Sequence, residues 1–294
     1  MELKIGDIVA RKSYGSDILF KVTNIKKSGS ENIITLKGIS YRIEADAPEA
    51  DLVIQSDQRI YEHQRSMSRM IESKVSSNER AAYRYGFGLR SKKALYRDTS
   101  KETAGKFSVS GKVLHLDGDK DYLDACLEQY KKFNIDVIGV HVAEKDQAGG
   151  IVKLIKEHKP DILVLTGHDG MLKGDTNYNK LDNYRNSKYF INAVTEARKH
   201  EEDLDRLIIF AGACQSMYNE IINAGANYAS APYRVLIHAY DPVLVCKKIV
   251  STGIDRIVDP SEVVNGTITG YKGIGGLQTR GKYRGGYPAE PEYK

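Results

Sequence analysis

Apolar residues cluster in three different ways along the chain, and each way predicts a different kind of structure. From residue 3 to about 55 they come in short runs. Ile5, Ile8 and Val9 open the series, followed by Ile18–Val22, Ile33–Leu36 and Ile39–Ile43. Gly15, Ser28-Gly29-Ser30 and Gly38 separate the runs as turns, which predicts a small β domain over 1–55. Residues 56–106 are polar, and only Ile60, Met67, Met70, Ile71 and Val75 fall at weakly helical spacing. From 107 onward the pattern alternates. Strand-length apolar runs occur at 112–116, 137–140, 162–165, 207–210 and 235–237. Between them lie helical faces, such as Tyr122, Leu123, Cys126, Leu127, Tyr130 and Phe133, then Ile151, Val152, Leu154 and Ile155, then Phe190, Ala193, Val194 and Ala197. Strands this uniformly apolar are buried on both faces, so 107–294 is expected to be an α/β domain with a doubly wound, mostly parallel sheet. The Gly- and Tyr-rich stretch from Gly266 is expected to be loop or a late hairpin.

Composition narrows the class. The chain has 294 residues, 41% hydrophobic and 28% charged, which suits a soluble globular protein of one or two domains. No apolar run approaches the roughly 18 residues of a spanning helix, and Met1–Lys4 lacks the apolar core of a secretory signal. Three cysteines exclude a disulfide framework and a four-thiolate zinc site, and they suit a reducing cytosol. The net charge of +5 is concentrated in one place: residues 56–106 hold twelve Lys/Arg against six Asp/Glu. Because that surplus lies in a connector and not on a folded face, it reads as a solvated basic linker, with an anionic partner as the sharper alternative and no nucleic acid expected. The opening Lys-Ile-Gly-Asp-Ile-Val resembles the start of small SH3-like barrels.

Open parallel sheets bind at the carboxyl ends of their strands. Those ends carry Asp117-Gly118-Asp119, Thr166-Gly167-His168-Asp169-Gly170, Ala211-Gly212-Ala213-Cys214-Gln215-Ser216 and His238-Ala239-Tyr240-Asp241. Cys214 and His168 end neighbouring apolar runs and form a candidate nucleophile–base pair. Cys214 leaves its strand through small residues, and a helix opening at Ser216 would favour its thiolate. Cys126 and Cys246 fall on apolar helix faces and read as core. His238 is the rival base. No Cys/His cluster has metal-ligand spacing, so neither a metal nor another cofactor is expected. Gly273–Gly276 follows no clear strand and is a weak phosphate-loop signal.

An apolar strand ending near His-Gly, then one ending in Gly-Ala-Cys, resembles the caspase-like (clan CD) cysteine peptidases. The 46-residue separation of His168 and Cys214 suits the roughly 50 of that pattern. Over nearly its whole length the chain resembles the YabG family of sporulation-specific proteases. The N-terminal Lys-Ile-Gly-Asp-Ile-Val-Ala-Arg-Lys-Ser-Tyr, Ile162–Gly170 and Phe210–Ser216 carry this resemblance. It implies a caspase-like catalytic domain and a cysteine endopeptidase of the mother-cell cytoplasm that acts at the forming spore coat. Its partners would be spore-coat and morphogenetic proteins, cut after Arg, and it would also cut itself. The Cys214 amide would stabilise the oxyanion, together with that of Asp169 or Gly170, because Asp169 separates His168 from the glycine. Asp117 or Asp119 would hold the substrate Arg. A Gly-x-Cys-x-Gly elbow is only partly matched around Cys214, which leaves an amidotransferase- or ThiJ-like hydrolase using His238 as the alternative enzyme. A non-catalytic coat scaffold is the alternative outside catalysis.

Overall fold

The computed structural model describes residues 3–28, 31–87, 107–172 and 177–287. The first strands are β1 (Ile8–Arg11), β2 (Leu19–Ser28), β3 (Glu31–Gly38), β4 (Glu44–Pro48) and β5 (Leu52–Ile54). They form one antiparallel sheet in the order β4-β3-β2-β1-β5. Alternate positions of β2 and β3 (Phe20 and Val22, Ile34 and Leu36) point inward with Val9, Ala47 and Leu52 and make its core. The apolar run Ile39–Ile43, expected as a further strand of this sheet, lies outside its five strands. The chain turns hard at Gly38, where a Cβ would collide with the Tyr41 carbonyl, and residues 39–43 form a loop that reaches toward the second sheet.

Helix α1 (Asp57–Phe87) runs 31 residues through the segment predicted to be a connector with a weak helical pattern. The Ser56 hydroxyl accepts from the Arg59 amide at its start, and Ile71 on this helix is buried. The Arg positions from 90 onward in the basic segment lie outside the described residues.

The remaining elements are β6 (Phe107–Val109), β7 (Val113–Asp117), α2 (Lys120–Lys132), β8 (Val137–His141), α3 (Glu144–His158), β9 (Ile162–Thr166), α4 (Ser187–His200) and β10 (Ile208–Ala211). They continue with α5 (Tyr218–Asn223), β11 (Tyr228–Ser230), α6 (Asp241–Val250), β12 (Ile257–Val258), α7 (Pro260–Asn265), β13 (Ile274–Gly276), β14 (Thr279–Arg280) and β15 (Arg284–Gly286). A six-stranded sheet has the order β13-β11-β10-β9-β7-β8, with every pair parallel except β11–β13. Val113, Val164 and Phe210 face residues of α2, α6 and α7, while Leu114, Leu165 and Ile209 face those of α3, α4 and α5. The sheet is therefore covered on both sides, as its unbroken apolar runs require. Strand order reverses between β7 and β9, and at such a switch point the loops diverge and open a crevice.

Two expectations need correction. The fifth parallel strand is Tyr228–Ser230, whose Tyr-Ala-Ser carries no aliphatic run, and Val235–Ile237 is not a strand of this sheet. The Gly-rich stretch 274–276 is an edge strand. Gly275 and Gly276 lack a Cβ where the Tyr218 and Tyr228 rings pack.

Candidate active site

The carboxyl ends of β7, β9 and β10 bring Asp117, Asp119, His168 and Cys214 to one rim, with the turn Asp169-Gly170 beside them. His168, Asp169, Gly170, Cys214 and Gln215 line a cavity of about 190 Å³, together with Arg42 and Ile43 from the N-terminal sheet's loop and Glu44 at the start of β4.

His168 is held from three directions. Its Nε2 stands 2.7 Å from Asp119 Oδ2, its amide donates to Glu144 Oε1 at 2.6 Å, and its carbonyl accepts from Asn186 Nδ2 at 2.8 Å. Its Nδ1 has no hydrogen-bond partner among the described residues. The Glu144 carboxylate sits between the ends of β7 and β9, where a Cβ on Gly118 or Gly167 would strike it and push it off the His168 amide. Asp119 caps α2 through the amides of Asp121 and Tyr122, and its Oδ1 lies 2.6 Å from Lys37 Nζ of β3. Burial pushes its carboxyl pKa up, but the hydrogen bonds from His168 and Lys37 outweigh it and hold the group well below the usual range.

Cys214 is 2% exposed. Burial pushes its thiol up to about 11, although the Ile237 amide, 3.2 Å from the sulfur, and that of Arg42 favour the thiolate. Helix support is missing: α5 begins only at Tyr218 and has six residues, so the expected dipole assistance is not present. The chain instead turns through left-handed backbone at Gly212 (φ 109°) and Gln215 (φ 58°). At Gly212 a side chain would also strike Ser230 Oγ. Ser216 fixes this turn by accepting from the Ala213 amide at 2.9 Å and donating to Asp169 Oδ2 at 2.8 Å. Asp169 also accepts from Ser187 Oγ at 2.5 Å and from the Asn186 amide at 2.8 Å, so one buried carboxylate fastens the His168 turn to the Cys214 turn. Its Oδ1 takes the Gly170 amide at 2.8 Å. The amides of Cys214 and Asp169 have no partner among the described residues.

The two aspartates expected to compete for one role do different things. Asp119 serves His168. Asp117, fully buried, lies 2.7 Å from Nη1 of Arg42, which is equally buried. It also accepts from Thr166 Oγ1 and from the Asp119 amide, each at 2.9 Å. Burial raises the Asp117 carboxyl, and the Arg42 guanidinium more than reverses this, leaving it at about 2. His238 is buried, held neutral with its pKa lowered to about 3 by burial, and lines a separate cavity with His63 and Ser40. Cys126 and Cys246 are fully buried in the core, with thiols pushed up to about 12 by burial.

Glu44, Asp119 and His168 form the one metal-capable group among the described residues, with donor atoms within 4.8 Å of one another. The Lys37 ammonium already supplies the cation at Asp119, which accounts for the arrangement without a metal. Lys37, Arg42, Glu44 and Glu144 all went unnoticed in the sequence. Gly118 and Gly167, flanking the two strand ends, were the local trace of Glu144. The others come from a sheet that is distant in sequence.

Among the described residues, no helix is long and apolar enough to cross a membrane. No solved structure matches the chain. It is 42% identical over 292 residues to the sporulation-specific protease YabG of Bacillus subtilis (strain 168), covering 98% of this chain and 99% of that protein. The family described as YabG peptidase U57 matches residues 4–288, so the chain belongs to that peptidase family.

Proposed function

We propose that this chain is a cysteine endopeptidase that acts during sporulation, with Cys214 as nucleophile and His168 as its acid–base partner. The observation that carries the reading is that these two side chains line one cavity at the ends of adjacent parallel strands. Cys214 Sγ adds to the scissile carbonyl. His168, oriented through Nε2 by Asp119, uses its free Nδ1 to move the thiol proton to the leaving amine. The unpartnered amides of Cys214 and Asp169 receive the oxyanion, because the Gly170 amide is already engaged. Asp117 gives the site its preference for Arg, and its contact with a guanidinium in this fold supports that assignment. The substrates are spore-coat and morphogenetic proteins, met in the mother cell. The name of the Bacillus subtilis relative supports the sporulation setting.

The test is hydrolysis of peptides with Arg or Ala before the scissile bond by the full chain. Cys214→Ala and His168→Ala should lower kcat/KM by at least about 10², while Cys126→Ala and Cys246→Ala keep it. Unchanged activity in Cys214→Ala would sink the assignment. Loss in His238→Gln with full activity in His168→Ala would move it to the alternative hydrolase.

A further inference from the structure

The loop between β3 and β4 enters the candidate active site and pairs with its wall as a strand. Its residues 40–42 pair antiparallel with 237–239. The Ala239 amide donates to Ser40 O at 2.8 Å, Tyr41 bridges His238, and the Arg42 amide donates to Ile237 O at 3.4 Å. This is strand addition, the usual way an extended peptide is held by a groove. Arg42 then sends its side chain, 1% exposed, onto Asp117, and its main-chain amide faces the Cys214 sulfur. The chain turns at that residue: the Ile43 amide donates to Tyr41 O at 2.8 Å, closing a three-residue turn centred on Arg42. Tyr122 Oη lies 2.6 Å from both the Gly38 and Tyr41 carbonyl oxygens and fixes the base of the loop. Past the turn, Glu44 Oε1 is 3.9 Å from His168 Nε2, so the residues after Arg42 run out on the side of the general acid.

From this geometry we infer that the Arg42–Ile43 peptide bond is an intramolecular substrate of Cys214, and that the loop blocks the groove to other proteins. The inference rests on the cysteine-peptidase reading above. In the first step the Cys214 sulfur bonds to the Arg42 carbonyl carbon and the Arg42–Ile43 C–N bond breaks. The thiol proton passes through His168 to the Ile43 nitrogen. Water then hydrolyses the thioester, leaving an Arg42 carboxylate, the free thiol and a new N-terminus at Ile43.

Strand order keeps the two pieces together. The cut separates β3 from β4, but β4 pairs with β3 and β5 pairs with β1. The three strands of the 1–42 piece therefore stay clamped between two strands of the larger piece. The cut chain remains one particle under native conditions, and the groove opens when the Arg42 side chain no longer holds the loop in it.

The experiment uses the full chain and denaturing mass spectrometry with N-terminal sequencing. Wild type should yield pieces 1–42 and 43–294 that co-elute in native gel filtration, and Cys214→Ala should stay whole. Cleavage should be first order, with a rate independent of protein concentration. Cys214→Ala mixed with wild type should remain uncut at this bond, because a second copy cannot reach a buried Arg42. Arg42→Gln should abolish the cut and remove any lag in hydrolysis of an Arg peptide. If that variant does not fold, Arg42→Lys keeps the charge and should slow the cut about tenfold or more. Cys214-dependent peptide hydrolysis with an intact Arg42–Ile43 bond would overturn this inference and leave the peptidase reading standing. A second-order rate would also overturn it, as would a cut that persists in Cys214→Ala. If wild type cuts neither peptides nor itself, the peptidase reading fails and takes this inference with it.

Discussion

The pair formed by Arg42 and Asp117 joins the two sheets through two charges that are both fully buried, and its removal has a calculable cost. Truncating one partner of a buried ion pair costs about 3–5 kcal/mol, because the other charge is left without compensation. Arg42→Met should fall near 3 kcal/mol, since Asp117 would keep two donors, the Asp119 amide and Thr166 Oγ1, each at 2.9 Å. Asp117→Leu should cost more, because its loss leaves the guanidinium little besides the Cys126 sulfur at 3.6 Å. The double variant should cost less than the two changes added together, as no charge is then stranded. Measured in a Cys214→Ala background, which removes the proposed self-cleavage, each single change should lower Tm by on the order of 10 °C. Thermal unfolding by circular dichroism of the four proteins completes the cycle. Single changes below about 1 kcal/mol that add without coupling would refute the reasoning, because the pair would then be solvated and would not hold the loop.

Two further outcomes are expected from the same geometry. Asp119→Asn should reduce kcat by about 10²-fold with little change in KM, since Asp119 orients His168 and the Arg contact belongs to Asp117; a change confined to KM would reverse the two assignments. The Asp117 carboxyl is at about 2 in the fold against 3.8 ordinarily, so its stabilisation is complete above 3.8 and is lost as pH falls toward 2. That amounts to about 2 kcal/mol. Urea midpoints across this window should fall more steeply in the Cys214→Ala chain than in one that also carries Arg42→Met, and equal slopes would count against the linkage.

The parallel sheet was legible because strands buried on both faces are mainly apolar, and the runs at 112–116, 162–165 and 207–210 follow that demand with His115 as the buried polar exception, while 137–140 is a half-buried edge strand. The strand at Tyr228–Ser230 was missed because it is three residues long and polar at one end. The run Val235–Ile237 took its place in the pattern because its backbone pairs with the loop at Tyr41 and not within the sheet. Ile39–Ile43 misled in the same way. Its apolar residues Ile39, Tyr41 and Ile43 are only half-buried, the buried ones being Ser40 and Arg42, and periodicity cannot tell such a loop from a strand. That His168 and Cys214 would share one rim was readable because strand ends mark it. The split between Asp117 and Asp119 was not, because it depends on Lys37 and Arg42, each about 80 residues earlier in the chain.

The central claim is that Cys214 is the nucleophile of this chain. Its most direct test is to treat the active wild-type protein with a peptidyl-arginine chloromethyl ketone and map the adduct by mass spectrometry. The account expects one adduct, on Cys214, formed in step with loss of activity and absent from Cys214→Ala, which is itself inactive. An adduct on Cys126 or Cys246 that tracks the loss of activity, or full activity in Cys214→Ala, would contradict it.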